Sequence, residues 1–188
     1  PLAPPMPREA LWQSWTDLRS FLLAQDHAPN WDDPARRAML NAQILWEIER
    51  GRSMTGETLA VAAGLRRQWL DVLRALFDQV DLLVLPSAQV WPFPVEIDWP
   101  TEIAGQEMDS YHRWMEVMVP ASLAGVPVIN LPTGLGAKGL PSGVQLIGRP
   151  GSDAQLLAWA KAYEAAVGPV AVVTPQLPLS VPGSGRAG

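Results

Sequence analysis

Three short apolar runs, set among amphipathic helical stretches, limit what this chain can fold into. Asp81-Leu82-Leu83-Val84-Leu85 is continuous, branched and ended by Pro86. Residues 126–131 and 142–148 repeat the pattern, bracketed by Gly125, Gly134 and Gly143. Runs of this length, apolar at odd and even positions alike, fit strands buried on both faces of a sheet. Such strands need helices above and below and neighbours at both edges. The reading is a layered α/β architecture whose small sheet looks incomplete as a folding unit.

The helices announce themselves by spacing. Pro7 suits a first helical position, and Leu11, Trp15, Leu18 and Leu22 recur on one stripe until Pro29. Asp33-Pro34 opens a second helix with Leu40, Ile44 and Ile48 on its inner face and Gly51 as its stop. Ser53 or Thr55 caps a third, carrying Leu65, Trp69, Val72 and Leu76. Asp109 is expected to cap a fourth through Tyr111-His112-Arg113-Trp114-Met115, kinked or ended by Pro120. Ser152 opens a last one with Leu156, Ala160, Tyr163 and Val167 inward and Gly168 at its end. The expected organisation is an N-terminal helical segment (1–30), a main body (31–168) and a Pro/Gly-rich tail (169–188). A long loop from Ser87 to about Gln106 holds Trp91, Phe93 and Trp99. Aromatics in such a loop either cover a pocket or seal the edge of a core.

Composition removes several classes of function. With 14 basic and 19 acidic residues the formal charge is −5, and the basic residues are scattered. That disfavours nucleic acid as a partner. There is no cysteine, and His27 and His112 are the only histidines, so no disulfide framework or metal site is expected. No apolar run approaches the ~20 residues that span a bilayer, so no membrane partner is expected. The opening Pro1-Leu2-Ala3-Pro4-Pro5-Met6-Pro7 lacks the charge and apolar core of a signal peptide, and the expected location is the cytoplasm. The absence of an initiating Met fits either a stretch that begins partway through a longer protein or a processed start.

Two motifs need weighing. Gly134-Leu135-Gly136-Ala137-Lys138-Gly139 matches the dinucleotide-binding G-x-G-x-x-G, but a second strand follows where that motif needs a helix. A glycine-rich connection between strands is the better reading, and no cofactor is expected. Glu47/Glu49 and Glu102/Glu107 read as solvated charges, and His112 as a hydrogen-bonded structural residue rather than a base.

The stretch 120–148 is the most specific. Pro120-Ala121-Ser122-Leu123-Ala124-Gly125-Val126-Pro127 runs into Val128-Ile129-Asn130-Leu131-Pro132-Thr133-Gly134. Gly139-Leu140-Pro141-Ser142-Gly143-Val144-Gln145-Leu146-Ile147-Gly148 follows. This resembles the C-terminal signature of the amidase-signature family. The Asp81–Ser87 run, Gly51-Arg52-Ser53, Arg66/Arg67 and the helix from Ser152 resemble further family elements in consistent order, over about residues 35–168.

The resemblance implies the C-terminal portion of the amidase-signature fold, α/β with helices around a few strands of a larger mixed sheet, and a parent acting on linear amides. In that chemistry a serine, activated through a second serine and a buried neutral lysine, attacks the amide carbonyl. Those residues lie N-terminal to the matched region. Here the only lysines are Lys138 and Lys161, and no Gly-Gly-Ser-Ser-Gly-like run occurs, so no catalytic residue is assigned. The expected partners are the missing N-terminal catalytic portion and a small amide substrate, with homo-oligomerisation left open. The chain alone is expected to be inactive.

Tyr111, Trp114, Met115 and Gln145 are the candidate substrate-binding residues. The family brings the helix before Ser122-Leu123-Ala124-Gly125 close to its acyl pocket, and relatives that use glutamine carry an acid near Met115. An apolar Trp114 and Met115 would favour an apolar or aromatic acyl group, and a core role fits them equally well. Gln145 either anchors a loop, the favoured role, or shapes the active-site wall. A non-catalytic partner-binding module and a truncated inactive amidase-like protein are the alternatives.

Overall fold

The computed structural model describes residues 5–168; the Pro/Gly-rich tail expected over 169–188 lies outside them. Helix α1 (Arg8–Asp26) follows Pro7, which is its N-cap rather than its first residue. Short turns α2 (Ala28–Asp32) and α3 (Pro34–Arg37) lead to α4 (Ala42–Arg52) and the long α5 (Gly56–Phe77). Then come β1 (Leu83–Pro86), a two-residue hairpin of β2 (Glu102–Ile103) and β3 (Gln106–Glu107), and a 3-10 helix (Arg113–Met118). The chain continues through α6 (Val119–Ala124), β4 (Val128–Leu135), β5 (Pro141–Ile147) and α7 (Asp153–Val167).

The three expected strands form one antiparallel sheet in the order β1-β5-β4. Ile147 pairs with both Leu83 and Val128. Successive residues of central β5 face opposite layers. Ile147 joins the core of Leu11, Trp12, Trp69, Leu73 and Phe77 from α1 and α5. Leu146 joins Leu131, Leu156 and Ala160 beneath α7. The expected two-faced burial holds for β5 and fails for its neighbours. Val84 is 52% exposed, and Val128 37% exposed. Among the described residues, β1 and β4 are the edge strands and each has a strand neighbour on one side only.

The expected helix over 34–51 divides. Asp33 caps α3 by accepting from Ala35 N at 2.9 Å, and Asn41 caps α4 afresh by accepting from Ile44 N at 2.9 Å. Gly51 does not stop α4. It lies inside the helix, where a Cβ would run into the backbone carbonyl of Ser20, so it lets α4 cross close to α1. That close crossing also explains why Leu22, expected inward, is 58% exposed. The face of α1 that meets α4 and α5 is built from Ser14, Asp17, Ser20 and Ala24. Thr55 caps α5 as expected.

The expected fourth helix is a 3-10 turn without an Asp109 cap, and Pro120 falls in the first turn of α6 rather than ending a helix. A proline there has no N–H to lose. Gly125 closes α6 with φ 69°. In the glycine-rich stretch, Gly136 N donates to Leu140 O at 2.9 Å within the β4–β5 connection. No helix follows, so the dinucleotide reading fails. Val167, expected inward, is 51% exposed at the end of α7.

Candidate functional site

The chain beyond β1 continues the sheet for one residue. Ser87 N donates to Gly143 O at 2.9 Å, and Ser87 Oγ donates across to Asn130 Oδ1 at 3.0 Å. Position 143 must be small for this, because a Cβ there would come within 2.9 Å of Leu131 O and 3.0 Å of Ser87 Oγ.

Gln145, 1% exposed on β5, fixes what lies beside this corner. Its Nε2 donates to Pro86 O at 2.9 Å and to Val117 O at 3.1 Å. Val117 N in turn donates to Gln89 Oε1 at 2.8 Å. One buried amide thus ties the end of β1 to the 3-10 helix. Unmade, these bonds would strand carbonyls away from water.

Between the two lies a cavity of about 510 Å³, lined by 86–93, Trp114 and 141–143. Its walls are aromatic. Phe93 and Trp114 meet edge to face at 5.4 Å and 89°. The Trp91 ring rests on Gly136, where a Cβ would overlap it. Trp114 Nε1 is buried without a hydrogen-bond partner among the described residues.

Of the four expected substrate-binding residues, Trp114 lines this cavity. Gln145 lies buried beside it with its amide bound to backbone. Tyr111 packs edge to face on Trp99 at 5.8 Å, and Met115, half-buried in the 3-10 helix, is not among the lining residues. Trp91 and Phe93, undecided in the sequence between pocket and core, are lining residues. Ser87 and Gly143 carried a sequence signal only as members of the family-like runs 81–87 and 139–148, which gave no hint that the two meet.

A second, larger cavity of about 660 Å³ lies along β1. Its lining of Leu73, Leu76, Leu83, Leu85 and Ile147 belongs to the main core or packs on it. It is an uncovered flank of that core, lined also by the paired Arg8 and Glu116 and by Gln89.

The segment carrying Trp114 is anchored by buried charge. Glu47 is 2% exposed, against the expectation of a solvated carboxylate. It lies 3.0 Å from His112 Nε2 and 3.0 Å from Arg19 Nε. Burial alone would raise its pKa, but the hydrogen bond from His112 and the charges of His112 and Arg19 outweigh that and hold it below 4.5. His112 is hydrogen-bonded, as expected. Arg113 bonds Glu9, sits 3.2 Å from Glu116, and stacks over Trp12 at 4.7 Å. At Glu116 burial wins over Arg113 and Arg8, and the pKa is raised. Spacing held a clue, since 44, 47, 48 and 51 share one helical stripe and the acid at 47 falls on it.

Lys138, in the β4–β5 connection, and Lys161, on α7, are both exposed. Neither has the burial that the lysine of a serine relay requires. Among the described residues no three His, Asp or Glu side chains converge on a metal position.

A family model described as Amidase matches residues 13–157. A fatty acid amide hydrolase of Medicago truncatula is 32% identical over 115 residues, which cover 60% of this chain and 18% of that protein. A glutamyl-tRNA(Gln) amidotransferase component of Rickettsia bellii is 31% identical over 138 residues, covering 72% of this chain and 25% of that protein. The chain thus spans a quarter or less of the length of these curated relatives. A bacterial aryl acylamidase of the amidase-signature family has the same fold over 86% of this chain and 34% of its own, with TM-score 0.73 and 23% identity.

Proposed function

The chain belongs to the amidase family, and from that premise we propose that it is the C-terminal part of an amide-hydrolysing enzyme whose serine–serine–lysine centre lies outside these 188 residues. The carrying observation is the sheet. Among the described residues its edge strands β1 and β4 each pair on one side only, Val84 and Val128 are exposed, and a mostly apolar cavity opens along β1. Sheets shaped to stand alone cover or charge such edges. The two exposed lysines support the same reading, because neither offers the buried, neutral amine that the serine relay requires.

In this reading the catalytic portion extends the sheet and carries the nucleophile. The present chain supplies a wall of the acyl pocket, with Trp114 facing it and Gln145 bracing the two backbone segments that bound it. Tyr111 and Met115 belong to the same anchored segment and set its rim. The substrate is a small amide, and neither metal nor cofactor enters the reaction.

The test is complementation. The chain is co-expressed with, or fused behind, an amidase N-terminal portion that carries the two serines and the lysine, and hydrolysis of a panel of small amides is followed by ammonia release. Activity that appears only with both pieces is the expected result. Hydrolysis by the chain alone, or none from any pairing that assembles, would contradict the proposal.

A further inference from the structure

We propose that the cavity between the end of β1 and the 3-10 helix takes the neutral, aromatic acyl group of an amide, with Trp91, Phe93 and Trp114 as its specificity-determining walls. This rests on the preceding reading that the chain supplies part of an acyl pocket, and it adds the substrate class.

Charge is excluded first. None of the residues lining the cavity, 86–93, Trp114 and 141–143, carries a charged side chain. Trp114 Nε1–H has no partner among the described residues but is uncharged, and the side chains of Ser87, Ser142 and Gln89 are already engaged. Ser87 Oγ donates to Asn130, Ser142 Oγ shares a hydrogen bond of 2.7 Å with Thr133 Oγ1, and Gln89 Oε1 accepts from Val117 N. A carboxylate or ammonium on the acyl group would be desolvated here without a counter-ion, which buried charge does not tolerate.

Shape then separates aromatic from aliphatic. Phe93 and Trp114 stand at 89° to each other, forming a corner with one ring face and one ring edge on adjoining sides. A flat ring placed there meets a face and an edge together, the two arrangements that ring quadrupoles favour. Trp91 closes a further side, braced against Gly136, and is 53% exposed. A large aromatic surface left this open at a cavity mouth is what a ligand would cover. At about 510 Å³ the space is ample for one substituted ring and its carbonyl.

The experiment measures binding by the full 188-residue chain, read by 19F relaxation of three probes. They are 4-fluorobenzamide, 6-fluorohexanamide and 4-fluorobenzoate. The benzamide should bind about three- to tenfold more tightly than the hexanamide, the range expected of ring–ring contacts, and more tightly than the charged benzoate. Phe93→Leu and Trp114→Leu, each checked for folding by circular dichroism, should each abolish the preference by weakening benzamide binding more than hexanamide binding. Equal binding of the two amides, tighter benzoate binding, a preference that survives both substitutions, or no binding of any probe would overturn the inference. Failure of the enzyme reading is distinguishable. Ring-selective binding without activity on complementation would sink that reading alone, and activity without ring selectivity would sink this one.

Discussion

Glu47 Oε1 lies 3.0 Å from Nε2 of His112, and both side chains are buried. The contact joins α4 to the segment that presents Trp114, with Arg19 of α1 on the other carboxylate oxygen and the Trp15 ring 5.6 Å from the imidazole. Glu47 titrates below 4.5 in the folded chain. Its stabilising contribution is therefore complete above that value and is lost as pH falls through the lowered pKa. Glu116 acts in the opposite sense. With its pKa raised, its charge disfavours folding above that pKa, and the penalty is relieved as pH falls toward 4.5.

Replacing Glu47 with Gln should therefore lower stability near neutral pH by about 3–5 kcal/mol, the cost of breaking a buried pair. It should also flatten the acid limb of the stability profile. Urea titration from neutral to acid pH checks both. A variant within about 0.5 kcal/mol of the parent at every pH would show that the pair is incidental.

Two glycines should respond to alanine with opposite sign. At Gly51 the new methyl group collides with the Ser20 carbonyl, so Gly51→Ala should separate α1 from α4 at a cost of about 1–3 kcal/mol or more. At Gly64, inside α5, nothing lies within 4 Å of a new Cβ, and Gly64→Ala should stabilise by about 0.5–1 kcal/mol. Thermal melts of the two variants should shift in opposite directions.

The Gln145 amide holds two carbonyls at once. Gln145→Leu keeps the volume and strands Pro86 O and Val117 O, for an expected loss of about 1–3 kcal/mol for each group left unpaired. Gln145→Glu should be worse as pH rises, because an ionised carboxylate has no proton to give to either carbonyl. A Glu variant as stable at neutral as at acid pH would show that these bonds are not formed.

These side-chain partnerships mark where the sequence stopped being readable. The three strands were visible in it, because uninterrupted branched runs between Gly and Pro have few alternative fates. The caps at Asp33, Thr55 and Gly125 were legible for the same local reason. Leu22 was not, because helical spacing rewards leucines and cannot register a crossing made through Ser20 and Gly51. The break between α3 and α4 rests on an Asn41 cap that a continuous apolar stripe conceals. At the site, Trp114 was within reach of sequence reasoning. The perpendicular setting of Phe93 against it was not, since a loop without periodicity gives no direction to its side chains. Glu47 and His112 lie 65 residues apart, and only the fold brings them together.

The single-sided edges of β1 and β4 should make the isolated chain self-associate. Sedimentation velocity should show a mass that grows with concentration. Val84→Lys together with Val128→Lys should reduce it, since both positions are exposed and charge on edge strands opposes pairing. A parent chain that stays monomeric across the concentration series would contradict this.

The central claim is that this chain helps build an amidase without holding its nucleophile. Exposure of the 188-residue chain to a fluorophosphonate that reacts with activated serines, followed by intact mass measurement, tests it most directly. The account predicts no mass increase under conditions that label a complete amidase stoichiometrically. Stoichiometric labelling of any serine in this chain would contradict it.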